Sequence, residues 1–355
     1  MQFLIHSIEM YINLMIRKNI DTYISYWLLL ITSLVALMIF VGGMTRLTDS
    51  GLSITKWDLI SGILPPLSLQ DWEKSFLLYK EIPEYKLENS SMTLEQFKSI
   101  FWWEYIHRLL GRFIGLCYLI PLLYFTFKKV LKSNDLLSLY FILILILFQG
   151  FIGWYMVMSG LTDRVDVSHY RLALHLIIAF IIFILLFWNY LKFKNHRYFI
   201  FNKNFLSYLL VFFIILLLFQ ITMGAFVSGL DAGRIYQSWP LMNQNYFPDD
   251  SNLSDLFSME AFETASIVQF IHRNVAYFII FFFLIIVTTV YKNNNLIYLR
   301  KITFILFIFL LLQIFLGIVT ILSGAQMFYA SMHQIGSILL ISTSLILLFK
   351  NSKIN

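Results

Sequence analysis

The chain has little charge and almost no cysteine. Of its 355 residues, 13% are charged and 59% are hydrophobic, and a soluble protein of this length cannot bury that much apolar surface. The single cysteine, Cys117, excludes an intramolecular disulfide and a metal site made of cysteine thiolates. Few segments alternate apolar and polar residues, which argues against a transmembrane barrel. These shortages predict an all-α polytopic membrane protein.

Eight apolar runs are long enough to cross a bilayer as helices. They lie near residues 25–46, 106–127, 136–158, 169–191, 205–227, 271–291, 301–322 and 329–349. The first run lacks a small-residue cleavage site, so we expect it to remain as a span rather than act as a cleaved signal. Long loops over 47–103 and 228–270 separate some of the runs, and the charged stretch 81–98 predicts solvated surface helices.

Basic residues are concentrated on one side of the predicted spans. The two termini and the links after spans 2, 4 and 6 contain fourteen basic and three acidic residues, whereas the other side has twelve basic and seventeen acidic residues. The positive-inside rule therefore places both termini in the cytoplasm and the two long loops outside. Because the basic residues flank the membrane, the net charge of +6 does not indicate a nucleic-acid partner.

The second half of the chain repeats motifs of the first half. Asp49-Ser50-Gly51 follows span 1 and Asp231-Ala232-Gly233 follows span 5, each with a tryptophan eight residues after the aspartate. Gln149, Gln220 and Gln313 are candidates for hydrogen bonds between helices. Each half has four spans, so we predict two repeated four-helix bundles related by an axis along the membrane normal. The predicted segments are a cytoplasmic segment 1–24, a first bundle 25–191, a link 192–204, a second bundle 205–349 and a tail 350–355.

Four histidines occupy matched positions in this repeat. The motif EYIHR, which contains His107, opens span 2, and the motif QFIHR, which contains His272, opens span 6. His175 and His333 follow at the starts of spans 4 and 8, so all four are expected near the outer surface. One intramembrane histidine alone could equally serve packing or proton transfer. Two matched pairs on facing helices instead favour axial ligands of two haem irons, His107 with His175 and His272 with His333.

Small and cationic residues accompany the histidines. Gly111 and Gly115 lie on the same helix face as His107, where they would let a flat macrocycle approach the backbone. Arg108, Arg112 and Arg273 lie at the same level and are candidates for binding haem propionates, since guanidinium groups suit carboxylates. The alternatives are close helix packing for the glycines and interfacial anchoring for the arginines. His169 has no repeat partner and receives no role.

One chemical difference separates the two motifs. Glu104, three residues before His107, corresponds to Gln269, three residues before His272. A carboxylate at a dry membrane boundary is costly, and it can act as a general base or stabilise positive charge on a substrate carbon. The alternative is a favourable charge at a helix N-terminus. We therefore hypothesise that the first bundle performs chemistry and that the second holds a cofactor or passes electrons.

These motifs resemble the haem A synthase family, membrane enzymes that convert haem O into haem A for cytochrome oxidase. The similarity extends from residues 42–53, followed by Trp57, through 104–112 to 331–334. The resemblance implies haem b at His272 and His333, the substrate or product haem at His107 and His175, and an important glutamate at Glu104. One branch of the family has a cysteine pair in the first outer loop, which is absent here. The long first loop and Trp102-Trp103 resemble the alphaproteobacterial and mitochondrial branch.

The resemblance also implies a reaction, a location and partners. The reaction is oxidation of one methyl group of haem O to an aldehyde, through successive hydroxylations and loss of water, in the bacterial inner membrane. Candidate partners are haem O synthase, cytochrome oxidase assembly factors, membrane lipid and a second copy of the chain. The main alternative is a diheme b-type membrane electron carrier without haem-modifying activity. A transporter is the more distant alternative, because the polar residues lie at the outer end of the spans rather than at the midplane.

Overall fold

The structure is a computed structural model that describes residues 2–57, 61–163, 165–196, 199–200 and 202–354. Within these ranges, eight helices are long and apolar enough to cross a membrane, which confirms the prediction of an all-α polytopic protein. The α-helices are α1 (Gln2–Leu47), α2 (Leu69–Tyr79), α3 (Pro83–Leu87), α4 (Leu94–Phe127), α5 (Ser133–Asp163), α6 (His169–Lys194), α7 (Phe205–Gly229), α8 (Ala265–Lys292), α9 (Arg300–Leu322) and α10 (Met327–Asn351). Some of the charged residues counted for the orientation lie outside the described residues, namely Asp58, Arg164 and Arg197 and the side chains of Glu9, Arg17, Asp163 and Lys353.

The membrane helices contact one another in the same pattern in both halves. In the first half α1 contacts α4 and α6, and α5 contacts α4 and α6. In the second half α7 contacts α8 and α10, and α9 contacts α8 and α10. The halves meet through α6 against α7 and through α10 against α1 and α6. These are the contacts that two repeated four-helix bundles require.

Helix α4 begins well before the predicted start of span 2. Thr93 and Gln96 form a reciprocal capping box, so the helix starts at Leu94. Its first turns bury Phe97 and Phe101 at helical spacing. His107 therefore lies thirteen residues after the first residue of α4. The prediction that each histidine opens its helix is wrong for His107, because an amphipathic extension precedes the apolar run.

The first outer loop folds into a compact layer, here called the outer cap and comprising residues 48–57 and 61–103. Its apolar core brings Leu52 together with residues of α2, α3 and the first turns of α4, namely Phe76, Tyr79, Ile82, Phe97 and Phe101. Helix α3 and the start of α4 lie inside the stretch where charged surface helices were expected. Glu84 of α3 is nevertheless buried, with 4% of its surface exposed. The expectation of a solvated charged face is therefore wrong at this residue.

A short antiparallel pairing joins the link between the halves to the C-terminal tail. Strand β1 (Phe199–Ile200) pairs with strand β2 (Lys353–Ile354). Nearby, the Asn351 amide donates hydrogen bonds to Ser207 Oγ at 2.9 Å and to Asn204 Oδ1 at 3.1 Å. These contacts fix the end of α10 against the start of α7, an arrangement that the apolar pattern alone does not predict.

His169, which received no role from the sequence, lies at the junction of the halves. Its ring packs edge-on against Phe226 of α7 at a centroid distance of 5.3 Å. Its Nε2 lies 3.7 Å from a carboxylate oxygen of Glu263. The side chain is buried against Gly229, where an added Cβ would lie 2.6 Å from His169 Cβ and 2.9 Å from its Cα. His169 is therefore part of the contact between α6 and α7.

Replacing Gly229 by alanine is expected to destabilise this junction by about 1–3 kcal/mol, because the backbone of α6 would have to move. The measurement is the apparent unfolding temperature of the purified protein in detergent. Gly150→Ala is the matched control, since a Cβ at Gly150 would meet no atom within 4 Å. Equal unfolding temperatures for the two variants would contradict the close contact of α6 and α7.

Candidate active site

The structure brings the four histidines together in the two expected pairs. The ring centroids of His107 and His175 are 6.4 Å apart, with an interplanar angle of 56°. Those of His272 and His333 are also 6.4 Å apart, with an angle of 75°. Imidazole nitrogen binds transition metals at about 2 Å, so two rings on opposite sides of one ion have centres roughly 6 Å apart. Each pair therefore has the separation that a shared metal ion needs.

Two histidine nitrogens per site suit a metal ion that already has other ligands. Among the described residues, no group of three or more His, Cys, Asp or Glu side chains is placed to hold a metal ion. Two imidazoles alone leave most coordination positions of a transition metal empty, and the four nitrogens of a porphyrin fill them. His333 Nδ1 lies 3.1 Å from the backbone carbonyl of Gln313, which leaves Nε2 as the ligand nitrogen. His272 Nε2 lies 3.2 Å from the Gln220 amide nitrogen, so in this pair the fit to haem is one of donor type and ring separation.

Each histidine ring lies against a glycine on a neighbouring helix. A Cβ added at the glycine would lie 2.9–3.3 Å from a ring atom in every case; the pairs are Gly42 with His107, Gly153 with His175, Gly224 with His272 and Gly317 with His333. In the repeat, Gly42 corresponds to Gly224 and Gly153 to Gly317. These glycines set how closely each ring approaches the adjacent helix. Only the internal repeat could have identified them from sequence.

Three glutamines hold the backbone of the histidines. Gln149 donates to the carbonyl of His175, Gln313 to that of His333 and Gln220 to that of His272, each at 2.9 Å. The predicted hydrogen bonds between helices are therefore confirmed. The repeat position of Gln220 in the first half is Met38. His107 thus lacks the glutamine that its counterpart has.

Glu104 is fixed between α4 and the outer cap. The side chain is 2% exposed. Its Oε2 accepts hydrogen bonds from Ser53 Oγ and from the Ile54 N–H, both at 2.7 Å, and its Oε1 accepts one from Arg108 at 2.5 Å. Because α4 begins ten residues earlier and is capped by Thr93, the alternative that Glu104 serves the helix N-terminus is wrong.

Gln269 donates a hydrogen bond to the loop after span 5, whereas Glu104 accepts one from the loop after span 1. Its Nε2 donates to the carbonyl of Tyr236 at 3.2 Å, and its Oε1 accepts from Arg273 at 3.3 Å. Tyr236 corresponds to Ile54 in the repeat, so both side chains tie the same helix turn to the same loop position. An uncharged amide is sufficient for this task. The charge of Glu104 forms a buried ion pair with Arg108, which the second half lacks because Arg273 contacts the uncharged Gln269.

The arginines of the two motifs also bind the outer loops. Arg108 donates to the carbonyl of Ile54 at 2.8 Å, and its guanidinium lies 4.7 Å from the ring centroid of Trp57. Arg273 donates to the carbonyl of Tyr236 at 2.9 Å. Arg112 lies one turn after Arg108 and is half-buried. Contact of these arginines with haem propionates stays a prediction.

The two glycines that follow His107 on its helix differ in their surroundings. A Cβ at Gly115 would meet no atom within 4 Å, whereas a Cβ at Gly111 would lie 3.1 Å from Cε of Met38. In the second half, the position corresponding to Gly115 is Ile280, and the position corresponding to Gly111 is Ala276. Open space beside the histidine helix of the first site is therefore present at Gly115 and not at Gly111.

One side chain of the second site, that of Gln334, contacts helix α1 beside the first site. Gln334, next to His333, donates a hydrogen bond to the carbonyl of Ile39 on α1 at 2.9 Å. Its amide fills the space where a Cβ of Gly43 would lie, 1.7 Å from Gln334 Oε1. Gly42, the neighbour of Gly43, touches the ring of His107. The second histidine site thus contacts the helix that supports the first.

Fold and site together define a multi-pass membrane protein with two paired-histidine centres, one of which has a buried carboxylate. The chain belongs to the COX15-CtaA family of cytochrome oxidase assembly proteins, whose family model matches residues 25–345. A "Heme A synthase" of Pelagibacter ubique (strain HTCC1062) is 48% identical over 344 residues, covering 94% of this chain and 99% of the relative. A "Heme A synthase" of Rickettsia bellii (strain RML369-C) is 44% identical over 319 residues, covering 89% and 94%.

Proposed function

We propose that this chain is a haem A synthase, which oxidises a methyl group of haem O to an aldehyde and so supplies haem A for cytochrome oxidase. The observation that carries the proposal is a buried carboxylate, Glu104, beside one of the two histidine pairs. Similarity over nearly the whole chain to proteins named "Heme A synthase" supports it.

The first half, residues 25–191, is the substrate half in this proposal. His107 and His175 would hold the iron of haem O, and Glu104 would act on the methyl group that is oxidised. Three donors surround the Glu104 carboxylate. Glu104 would act as a general base or would stabilise positive charge on the substrate carbon. The space beside Gly115 suits the bulkier substrate.

In the second half, residues 205–349, His272 and His333 would hold haem b. Haem bound by these two residues would supply reversible one-electron chemistry. Gln220 and Gln313 fix the two histidine backbones, so this pair is rigidly positioned. Arg273, together with Arg108 and Arg112 of the first half, is proposed to bind propionates. The N-terminal segment 1–24, the link 192–204 and the tail 350–355 lie on the cytoplasmic side of the bacterial inner membrane.

Haem O is the substrate partner in this proposal. Haem O synthase, cytochrome oxidase assembly factors, membrane lipid and a second copy of the chain are the further partners proposed. The alternative function is a diheme b-type electron carrier, which the equal ring separation in both pairs favours. A carrier would give no purpose to the charge of Glu104, since Gln269 performs the same structural task without it.

The test is co-expression with haem O synthase, followed by chromatographic identification of the haems bound to the purified protein. A synthase yields haem A together with haem b and haem O. An electron carrier yields haem b alone, and that result would replace the proposal by its alternative. A purified protein without any visible haem absorption would end both.

A further inference from the structure

The helix that opens each half contacts the first histidine of that half in a different way. In the second half, the amide of Gln220 on α7 donates to the carbonyl of His272 on α8 at 2.9 Å. The residue of α1 at the same place in the repeat is Met38, whose side chain has no hydrogen-bond donor. Helix α8 is therefore bonded to α7 at its histidine, whereas Met38 gives α4 no such bond to α1 at His107.

This difference comes from the type of residue and not from the spacing of the helices. A Cβ added at Gly42 of α1 would lie 3.2 Å from the ring of His107, and a Cβ added at Gly224 of α7 would lie 3.3 Å from the ring of His272. The two opening helices thus approach their histidine helices equally closely. A glutamine in place of Met38 is therefore expected to reach the carbonyl of His107.

A second difference lies at the same contact of α1 with α4. Met38 Cε lies 3.1 Å from the point where a Cβ of Gly111 would be. Gly111 is one turn after His107, and the residue at its place in the second half is Ala276. The thioether of Met38 therefore fills the space that the glycine leaves. Because methionine is unbranched and flexible, this contact is apolar and adaptable.

The other histidine of the first site is held in the same way as those of the second site. Gln149 of α5 donates to the carbonyl of His175 at 2.9 Å, as Gln313 of α9 does to that of His333. Hydrogen bonds of this kind hold membrane helices together. The first site therefore has one histidine helix fixed by a glutamine and one, α4 with His107, that packs against α1 through an apolar side chain.

We infer that Met38 is a positioning residue that keeps the first site open to exchange of haem, whereas Gln220 helps the second site to retain its haem. The inference rests on the proposed function, in which the haem at His107 is replaced in every turnover and the haem at His272 stays. A histidine helix without the glutamine bond moves away from its neighbour at a smaller free-energy cost. Release of product sets the rate of many enzymes, so a fixed helix at this place would slow turnover.

The main experiment exchanges the two residues and measures the release of haem, which needs no turnover. Protein co-expressed with haem O synthase is purified and mixed with excess apomyoglobin, and the haems that remain bound are identified by chromatography over time. Met38→Gln is expected to slow the release of haem O and haem A about fivefold, the effect of one added hydrogen bond. Gln220→Met is expected to speed the release of haem b by a similar factor.

Two further variants show whether the added donor is the cause. Met38→Leu changes the side chain without adding a donor and should not slow the release of haem. Leu37→Gln adds the same amide one residue earlier on α1, at an exposed position that faces away from the site. It should also leave the release rates as they are in the wild type. Slower release in either variant would contradict the role of the hydrogen bond to His107.

The haem content of the purified protein separates slower exchange from general damage. With product release slowed, Met38→Gln should form haem A more slowly and yet carry more haem A per protein than the wild type. A purely structural role predicts that haem A formation, bound haem A and the unfolding temperature all fall together.

Release of haem O and haem A from Met38→Gln at the wild-type rate would overturn the inference. If Met38→Gln does not fold, Gln220→Met decides the matter: faster release or loss of haem b supports the inference, and an unchanged rate overturns it. Haem b as the single haem of the wild-type protein would instead refute the proposed function.

Discussion

Glu104→Gln is expected to lower haem A formation by about 100-fold or more, while both haem sites still bind haem. Glutamine keeps the length of the side chain, and its single carbonyl oxygen can accept from Ser53 and the Ile54 N–H, so the link between α4 and the outer cap should persist while the bond from Arg108 is lost. It removes the negative charge beside the substrate. Turnover with co-expressed haem O synthase measures the first effect, and the visible spectrum of the purified protein measures the second.

The repeat supplies the matched control for this experiment. Gln269→Glu introduces a carboxylate at the corresponding place in the second half, next to Arg273. The variant loses the donor to the Tyr236 carbonyl, so its haem b content is measured first from the visible spectrum. With haem b retained, it is expected to leave haem A formation unchanged, because the new charge lies in the half that does not bind the substrate. If Glu104→Gln keeps full turnover, the catalytic role of Glu104 is wrong.

The apolar pattern was sufficient for the eight spans, because a membrane helix needs a long run without charge and little else. The same pattern failed at the start of α4. Leu94, Phe97 and Phe101 form an apolar face that packs in the cap rather than in lipid. Polar residues between them interrupt the apolar run, so hydropathy alone does not predict that the helix starts at Leu94. Hydropathy places the membrane boundary, whereas the capping residues place the end of the helix.

The four histidines could be predicted from sequence because they recur at matching positions of the repeat. Glu104 could be predicted because its counterpart in the repeat is a different residue, Gln269. The groups that hold them were harder to find. Ile54 and Tyr236 take part through backbone atoms, so their side chains carry no signal of that role. Glu84 looked like an ordinary surface acid, since only the folded cap shows that it is buried. Contacts made by backbone atoms, or created when loops pack together, cannot be predicted from sequence patterns.

The matched glycines and glutamines bear on how the two sites came to differ. Both halves share the glycine beside each histidine, and three of the four histidine carbonyls accept from a glutamine. The exception is His107, whose half has Met38 in place of Gln220, and Glu104 in place of Gln269. The differences thus concentrate around one histidine. This pattern is expected if one copy of a haem site was modified for chemistry while the other kept its binding role.

Removing one histidine from each pair should separate the two haems. His272→Ala and His333→Ala are expected to lower the haem-to-protein ratio by about half and to remove haem b, because each iron would lose an axial ligand. His107→Ala and His175→Ala should keep haem b but lower haem A formation by about 100-fold, since the substrate would no longer be held in place. Extraction and chromatography of the bound haems measure both effects.

His169→Gln is the control for this series, because His169 is a buried histidine on the same helix as His175 and belongs to neither pair. It should keep both haems and full turnover. The strongest contradiction would be loss of haem b in His107→Ala together with its retention in His272→Ala, which would exchange the assignment of the halves.

Coupling between the halves has a defined route in Gln334, which joins the second site to α1. A spectral change of haem b in His107→Ala that disappears in the added presence of Gln334→Leu would trace that route.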